Sequence, residues 1–117
     1  MKDCLFCKIV AGEIPSEKIY EDEKVLVFKD IHPVAPVHVL IIPKVHITNM
    51  NEVNSENSHI IARVFEVIPE LAKQFNMDEK GYRIICNCGE DGGQVVNHLH
   101  YHLIGGKHLG MKLVKED

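Results

Sequence analysis

His98, His100 and His102 stand at alternate positions in the run His98-Leu99-His100-Tyr101-His102-Leu103-Ile104. Leu99, Tyr101, Leu103 and Ile104 are strand formers, and an extended segment turns successive side chains to opposite faces. The three imidazoles therefore share one face, and apolar spacers fill the other. Such a row packs a core poorly. It suits chemistry near neutral pH, where histidine alone titrates when unperturbed. Neighbouring histidines in the row lie about 6.6 Å apart, and the outer two about 13 Å, from the rise per residue. A metal with ligand nitrogens at about 2 Å can take two neighbours but hardly three in a straight row. A tris-histidine hydrolytic zinc centre on this strand alone is thus disfavoured. At least one imidazole is left for other work.

Two further features bear chemistry. Cys4-Leu5-Phe6-Cys7 is a pair of cysteines at a spacing suited to zinc. A thioredoxin-like redox pair would need a βαβ context, which this N-terminus does not offer. A closed zinc site needs two more ligands, from Cys86, Cys88 and the histidines at 32, 38, 46, 59, 98, 100, 102 and 108. Composition does not choose among them. The loop Gly89-Glu90-Asp91-Gly92-Gly93-Gln94 offers backbone N–H groups with little side-chain bulk just before the histidines. Such a loop can cradle a phosphate oxygen and serve as an oxyanion site.

These residues need a scaffold. A chain of 117 residues has the length of one domain, expected over 1–117, and its 45% apolar content supplies one core. A net charge of -4 leaves no basic footprint for nucleic acid. The longest apolar stretch, around Val37 to Pro43, is far short of the ~20 residues that cross a bilayer. Cys4, Lys8 and Glu13 interrupt any signal-peptide core, so a cytoplasmic protein with reduced cysteines is expected. Cys4 to Ala11 predicts a short helix. Lys18 to Glu21 and Val25 to Lys29 predict strands around the turn Asp22-Glu23-Lys24. His38 to Ile42 predicts a central strand, Ser55 to Phe75 a long amphipathic helix kinked or broken at Pro69, and Gly81 to Cys88 a further strand. His98 to Ile104 is the last. Short connections favour antiparallel pairing, so the class is α+β.

The triad run fits the pattern His-φ-His-φ-His-φ-φ, with φ apolar, and the chain resembles the histidine-triad (HIT) superfamily. Ile14-Pro15, Phe28-Lys29-Asp30-Ile31, Ala35-Pro36-Val37-His38, Ile42-Pro43-Lys44-Val45-His46, Gly81-Tyr82-Arg83 and Asn87 through Gly93-Gln94 extend the resemblance to the Hint branch, over about Cys4 to Gly106. It implies a mostly antiparallel sheet with one long and one short helix, continued across a homodimer. It implies hydrolysis of purine nucleoside 5'-phosphoramidates, with purine nucleotides such as AMP or GMP as ligands. By position His100 resembles the nucleophile, oriented by the main-chain carbonyl of His98, and His102 the contact to phosphate and leaving group. Asp30 resembles the ribose ligand. Asn87, Gly93, Gln94 and Val95 resemble the phosphate loop, and Phe6, Ile9, Ile14, Phe28 and Ile31 the walls of the base pocket. Val95 departs from the pattern, because several Hint proteins have serine there. Cys4, Cys7, His46 and His98 resemble the structural zinc site of bacterial-type members. Dinucleoside polyphosphate hydrolysis and a nucleotide-binding interaction module are the competing readings. His102 argues against the uridylyltransferase branch, which usually carries glutamine at that position.

Overall fold

The computed structural model describes residues 3–115. Met1, Lys2, Glu116 and Asp117, the ends of the domain expected over 1–117, lie outside the described residues. The described elements are α1 (Leu5–Val10), β1 (Lys18–Glu21), β2 (Val25–Lys29), β3 (Val37–Pro43), α2 (Ser58–Gln74), β4 (Tyr82–Ile85) and β5 (Tyr101–Gly105). A 3-10 turn covers Met50–Glu52. The strands form one antiparallel sheet in the order β1-β2-β3-β5-β4, an α+β arrangement as expected. The last strand is thus inserted between β3 and β4.

The sheet is buried on both faces at its centre. Val25, Val27, Val39, Ile41, Tyr101 and Leu103 face α2, which contributes Val64, Val67, Ile68, Leu71 and Ala72 to the same core. Leu26, Phe28, Leu40 and Ile42 alternate with them and pack under Phe6 and Ile9 of α1. Two-sided burial explains why β2 and β3 read as continuous apolar runs rather than alternating ones. A triple contact pins α2 to the β1–β2 turn. Arg63 donates from Nε to Asp22 Oδ2 (2.8 Å) and from Nη2 to the Tyr20 hydroxyl, which in turn donates to Asp22. Asp22 Oδ1 accepts the backbone N–H groups of Lys24 and Val25.

Beyond shifts of one residue, four features differ from the sequence expectation, each for a local reason. The long helix starts at Ser58, not Ser55. Asn54 and Asn57 bond the backbone around them (Asn54 N to Asn57 Oδ1, Glu56 N to Asn54 Oδ1, both 2.8 Å), a local alternative to helix. The helix runs unbroken through Pro69, which lies on the exposed face where water can reach the carbonyl left without a donor. β4 ends at Ile85, because the chain then turns into the glycine loop. There Gly92 presses so closely on the Cys88 backbone that any Cβ would clash with the Cys88 carbonyl oxygen. The final strand begins at Tyr101, not His98. β3 supplies ladder partners only as far as Ile41 opposite Tyr101, and upstream the Leu99 N–H goes to the Ile47 carbonyl instead.

Leu71 is fully buried between helix and sheet. Leu71→Ala is expected to lower unfolding free energy by about 3 kcal/mol, from lost transfer energy plus a residual cavity. Urea unfolding of the two proteins measures this.

Candidate functional site

The alternation expected of the histidine run survives although only its second half is ladder-paired. Leu99, Tyr101 and Leu103 enter the α2-side core, and His98, His100 and His102 lie on the α1 side. Phe6 of α1 meets the first two rings edge-on, at 5.9 Å from His98 and 5.1 Å from His100. The three imidazoles have different partners.

His100 is buried, and its Nδ1 donates to the His98 carbonyl at 2.7 Å. A neutral ring held this way carries its lone pair on Nε2. His100 and His102 line a cavity of about 440 Å³ together with Phe6, Ile9, Phe28, Asp30, Ile31, Asn87, Gly93 and Val95. Of the residues named from the sequence for this pocket, Ile14 and Gln94 do not line it. Ile14 packs against the α1-side core. Gln94 staples the loop instead: its Oε1 accepts from Gly89 N (2.9 Å) and its Nε2 donates to the carbonyls of Thr48 (2.7 Å) and Val96 (3.0 Å). Asn87 Nδ2 donates to Gly92 O at 2.7 Å and stands close to Gly93, whose φ of +78° suits glycine. Val95 is 90% exposed at the mouth.

His102 is placed by His38, which the sequence offered as a motif position, a strand residue and a possible zinc ligand, but not as a partner of the histidine run. His38 Nδ1 accepts the Val34 N–H at 3.2 Å, so its proton sits on Nε2. That Nε2 lies 2.9 Å from His102 Nδ1 and 3.2 Å from Asp30 Oδ2. His102 Nδ1 therefore accepts, and its own proton is on Nε2. Burial pushes the His102 ring down to about 4, His100 and His38 add to the fall, and Asp30 opposes it. The signal for His38 was in the register: on β3 it shares a face with Leu40, which pairs with His102. Asp30 also accepts the His32 N–H on Oδ1 at 2.8 Å, a turn-capping bond at the strand end.

His98 belongs to a second cluster. Cys4 Sγ lies 3.2 Å from His98 Nδ1, Cys7 Sγ 3.5 Å from the same nitrogen and 3.4 Å from His46 Nδ1. One atom from each of these four residues falls within 4.8 Å of the others, close enough to share a metal ion. The donor set fits. A tetrahedral zinc with Zn–S of about 2.3 Å and Zn–N of about 2.0 Å requires S···N edges of about 3.6 Å. Both imidazoles present Nδ1 because Nε2 is engaged, by the Pro43 carbonyl (2.8 Å) for His98 and by the Thr48 hydroxyl (3.2 Å) for His46. Such outer bonds orient metal-ligating histidines. Without a metal, two thiols contest the one His98 Nδ1. Burial and then the hydrogen bond with Cys4 raise the Cys7 thiol, a cost that a bound cation reverses. Burial pushes His98 down to about 4, against its bond to Pro43.

A family model described as the HIT domain matches residues 11–109. The chain belongs to the HIT family. It is 43% identical to the purine nucleoside phosphoramidase of Escherichia coli (strain K12) over 112 residues, 96% of this chain and 94% of that protein. A HIT family hydrolase from Clostridium thermocellum matches its structure with a TM-score of 0.94 at 50% identity, covering 97% of this chain and 99% of the other. A histidine triad protein from Clostridium difficile gives 0.92 at 47%, covering 97% and 98%. No helix among the described residues is long and apolar enough to cross a membrane.

The two depressed rings set a pH dependence. Unfolded, His98 and His102 take up protons as pH falls through about 6.5; folded, they stay neutral until about 4. The unfolded state binds more protons in that window, so stability is full above 6.5 and falls as pH drops toward 4. The melting temperature of metal-free protein is expected to decline steadily across that interval. A flat profile contradicts the assignment.

Proposed function

We propose that this HIT protein hydrolyses purine nucleoside 5'-phosphoramidates through a nucleotidyl intermediate on His100. The observation that carries the proposal is the His100 ring itself: its Nδ1 is committed to the His98 carbonyl, and its Nε2 is left as a nucleophile beside an apolar cavity. The similarity to the Escherichia coli phosphoramidase supports the substrate class.

The base enters between Phe6, Ile9, Phe28 and Ile31, and the Asp30 carboxylate accepts from the ribose hydroxyls. Asn87 and the backbone of the Gly93–Val95 turn receive the phosphoryl oxygens. His100 Nε2 attacks the α-phosphorus, an N–P bond forms, and the bond to the leaving nitrogen breaks. That nitrogen takes one proton, drawn from solvent through His102. The bound phosphoryl anion raises the proton affinity of the His102 ring. When His102 Nδ1 is protonated, His38 turns its Nε2–H to Asp30, 3.2 Å away. His102 then gives its Nε2 proton to the amine and is left with Nε2 free to accept a proton from the attacking water. Water breaks the N–P bond to His100, the nucleoside monophosphate leaves, and His102 returns its extra proton to solvent.

Cys4, Cys7, His46 and His98 hold a zinc ion in this reading. All four ligand positions are protein atoms, so the ion is structural and ties α1, which carries Phe6 and Ile9, to the histidine segment. The protein acts in the cytoplasm as a homodimer. β4 is an edge strand with Ile84 38% exposed, the kind of edge that extends a sheet into a second copy.

Two measurements test the proposal. His100→Ala is expected to lower kcat/KM for an adenosine 5'-phosphoramidate by about 10⁴-fold or more, as loss of a nucleophile does. Retention of wild-type turnover rejects the covalent route. Purified protein is expected to carry one equivalent of zinc, and its chelation to lower the melting temperature by several degrees. Metal-free protein of equal stability rejects the zinc.

A further inference from the structure

The glycine loop and the histidine segment both hang from one short stretch of chain. The Ile47 carbonyl accepts the Leu99 N–H at 2.6 Å, one residue before His100. The next carbonyl, that of Thr48, accepts from Gln94 Nε2 at 2.7 Å. The stretch is itself fixed. The Thr48 N–H donates to Glu52 Oε1 (2.7 Å), and the Thr48 hydroxyl lies 3.2 Å from His46 Nε2. Two adjacent carbonyls thus hold the backbone of the reactive ring and the glycine loop against one frame.

Within the loop most donors are spent. The Gly93 and Gln94 N–H groups donate to the Glu90 and Gly89 carbonyls, both at 3.0 Å. Asn87 Nδ2 donates to Gly92 O. The Val95 N–H has no protein acceptor among the described residues, and Val95 lines the cavity that holds His100 and His102. It is the backbone donor of the Gly93–Val95 turn that is left for a phosphoryl oxygen.

Gln94 brackets that donor. Its Oε1 accepts the Gly89 N–H at 2.9 Å on one side. Its Nε2 donates to the Val96 carbonyl at 3.0 Å on the other, and its second Nε2 proton goes to Thr48. A reversed amide would set its oxygen against two carbonyls and its NH2 against an N–H, so only one orientation satisfies the side chain. A polar network satisfied in this way rigidifies the backbone it joins.

We propose that Gln94 is a positioning residue for the reaction: it touches no substrate atom, and it fixes the Val95 N–H where a phosphoryl oxygen can be held in front of His100. The inference rests on the phosphoramidase reading and adds to it a side chain that acts through the backbone. A donor aimed in advance needs no reorganisation as charge develops on phosphorus, which is why its placement matters to the rate.

Calorimetric titration of AMP and of adenosine tests this, because the ratio of their affinities isolates the phosphoryl contacts. Wild type is expected to favour AMP by about tenfold or more, the worth of hydrogen bonds to a charged group. Gln94→Met matches the length and removes all three bonds. Its ratio is expected to fall to about two, with adenosine affinity within about twofold of wild type. Gln94→Asn, one methylene shorter, is expected to do the same and serves if Gln94→Met does not fold. In both, kcat for an adenosine 5'-phosphoramidate is expected to fall by about 30-fold. A ratio of dissociation constants does not depend on the fraction of protein that is folded. A purely structural role therefore lowers the melting temperature and leaves the ratio alone. A wild-type ratio in either variant overturns the inference, and so does a wild-type protein that binds AMP and adenosine equally. The ratio needs no turnover: its loss in the variants, with no phosphoramidate hydrolysis by wild type, upholds the positioning of the donor and rejects the phosphoramidase reading. Binding of neither ligand overturns both.

Discussion

The pairing of β5 against β3 is the constraint on which the rest of the structure depends. Ile41 meets Tyr101, Leu40 meets His102, and His38 meets Ile104. A slip of one residue would turn every side chain of β5 to the other face. His102 would then enter the α2-side core, and Tyr101 and Leu103 would face the cavity beside His100. Burial enforces the register from both sides, because Tyr101 and Leu103 pack into the α2-side core, where a histidine would lose its polar partners, and Leu40 packs under α1. The same register brings His38 to His102, so one set of backbone bonds positions the strand and sets a tautomer.

Backbone carbonyls perform a second organising task. His98 contributes its oxygen to His100 Nδ1 and takes the Pro43 oxygen on its own Nε2. Had His98 and Leu99 joined the ladder fully, the His98 oxygen would compete for a strand partner. The departure from regular strand at His98–His100 therefore frees an acceptor that orients a nucleophile candidate. It also lets His98 reach the two cysteines of the N-terminal segment. A structural cluster and a reactive ring thus share one residue, which gives the position of α1 a direct link to the walls of the cavity.

Much of this was legible in the residues. The β1–β2 hairpin was readable from the polar turn Asp22-Glu23-Lys24 between apolar runs, and its two strands match the expectation to the residue. The shared face of the histidines followed from period-two alternation. The boundaries that failed depend on information outside the local pattern. The start of β5 is set by where its ladder with β3 ends, upstream of which the Leu99 N–H goes to the Ile47 carbonyl, and the start of α2 by side-chain bonds of Asn54 and Asn57. His38 was illegible as a partner of His102 because the two are separated by 64 residues and meet only through strand order. Gln94 looked like a phosphate-loop residue from its place after the glycines, but its side chain finds three backbone partners within the loop and beside it. Among candidate metal ligands, the residues alone left ten possibilities for two places. The fold brings His46 and His98 to the cysteines and leaves Cys86 and Cys88 elsewhere.

The central claim is that His100 becomes covalently attached to phosphorus. Acid-quenched mass spectrometry of the protein mixed with an adenosine 5'-phosphoramidate tests it most directly. The mechanism predicts a transient adenylyl adduct that maps to the peptide containing His100, forms no more slowly than the amine is released, and is absent in His100→Ala. Turnover with no adduct at any time, or an adduct that persists at the wild-type level in His100→Ala, would contradict it.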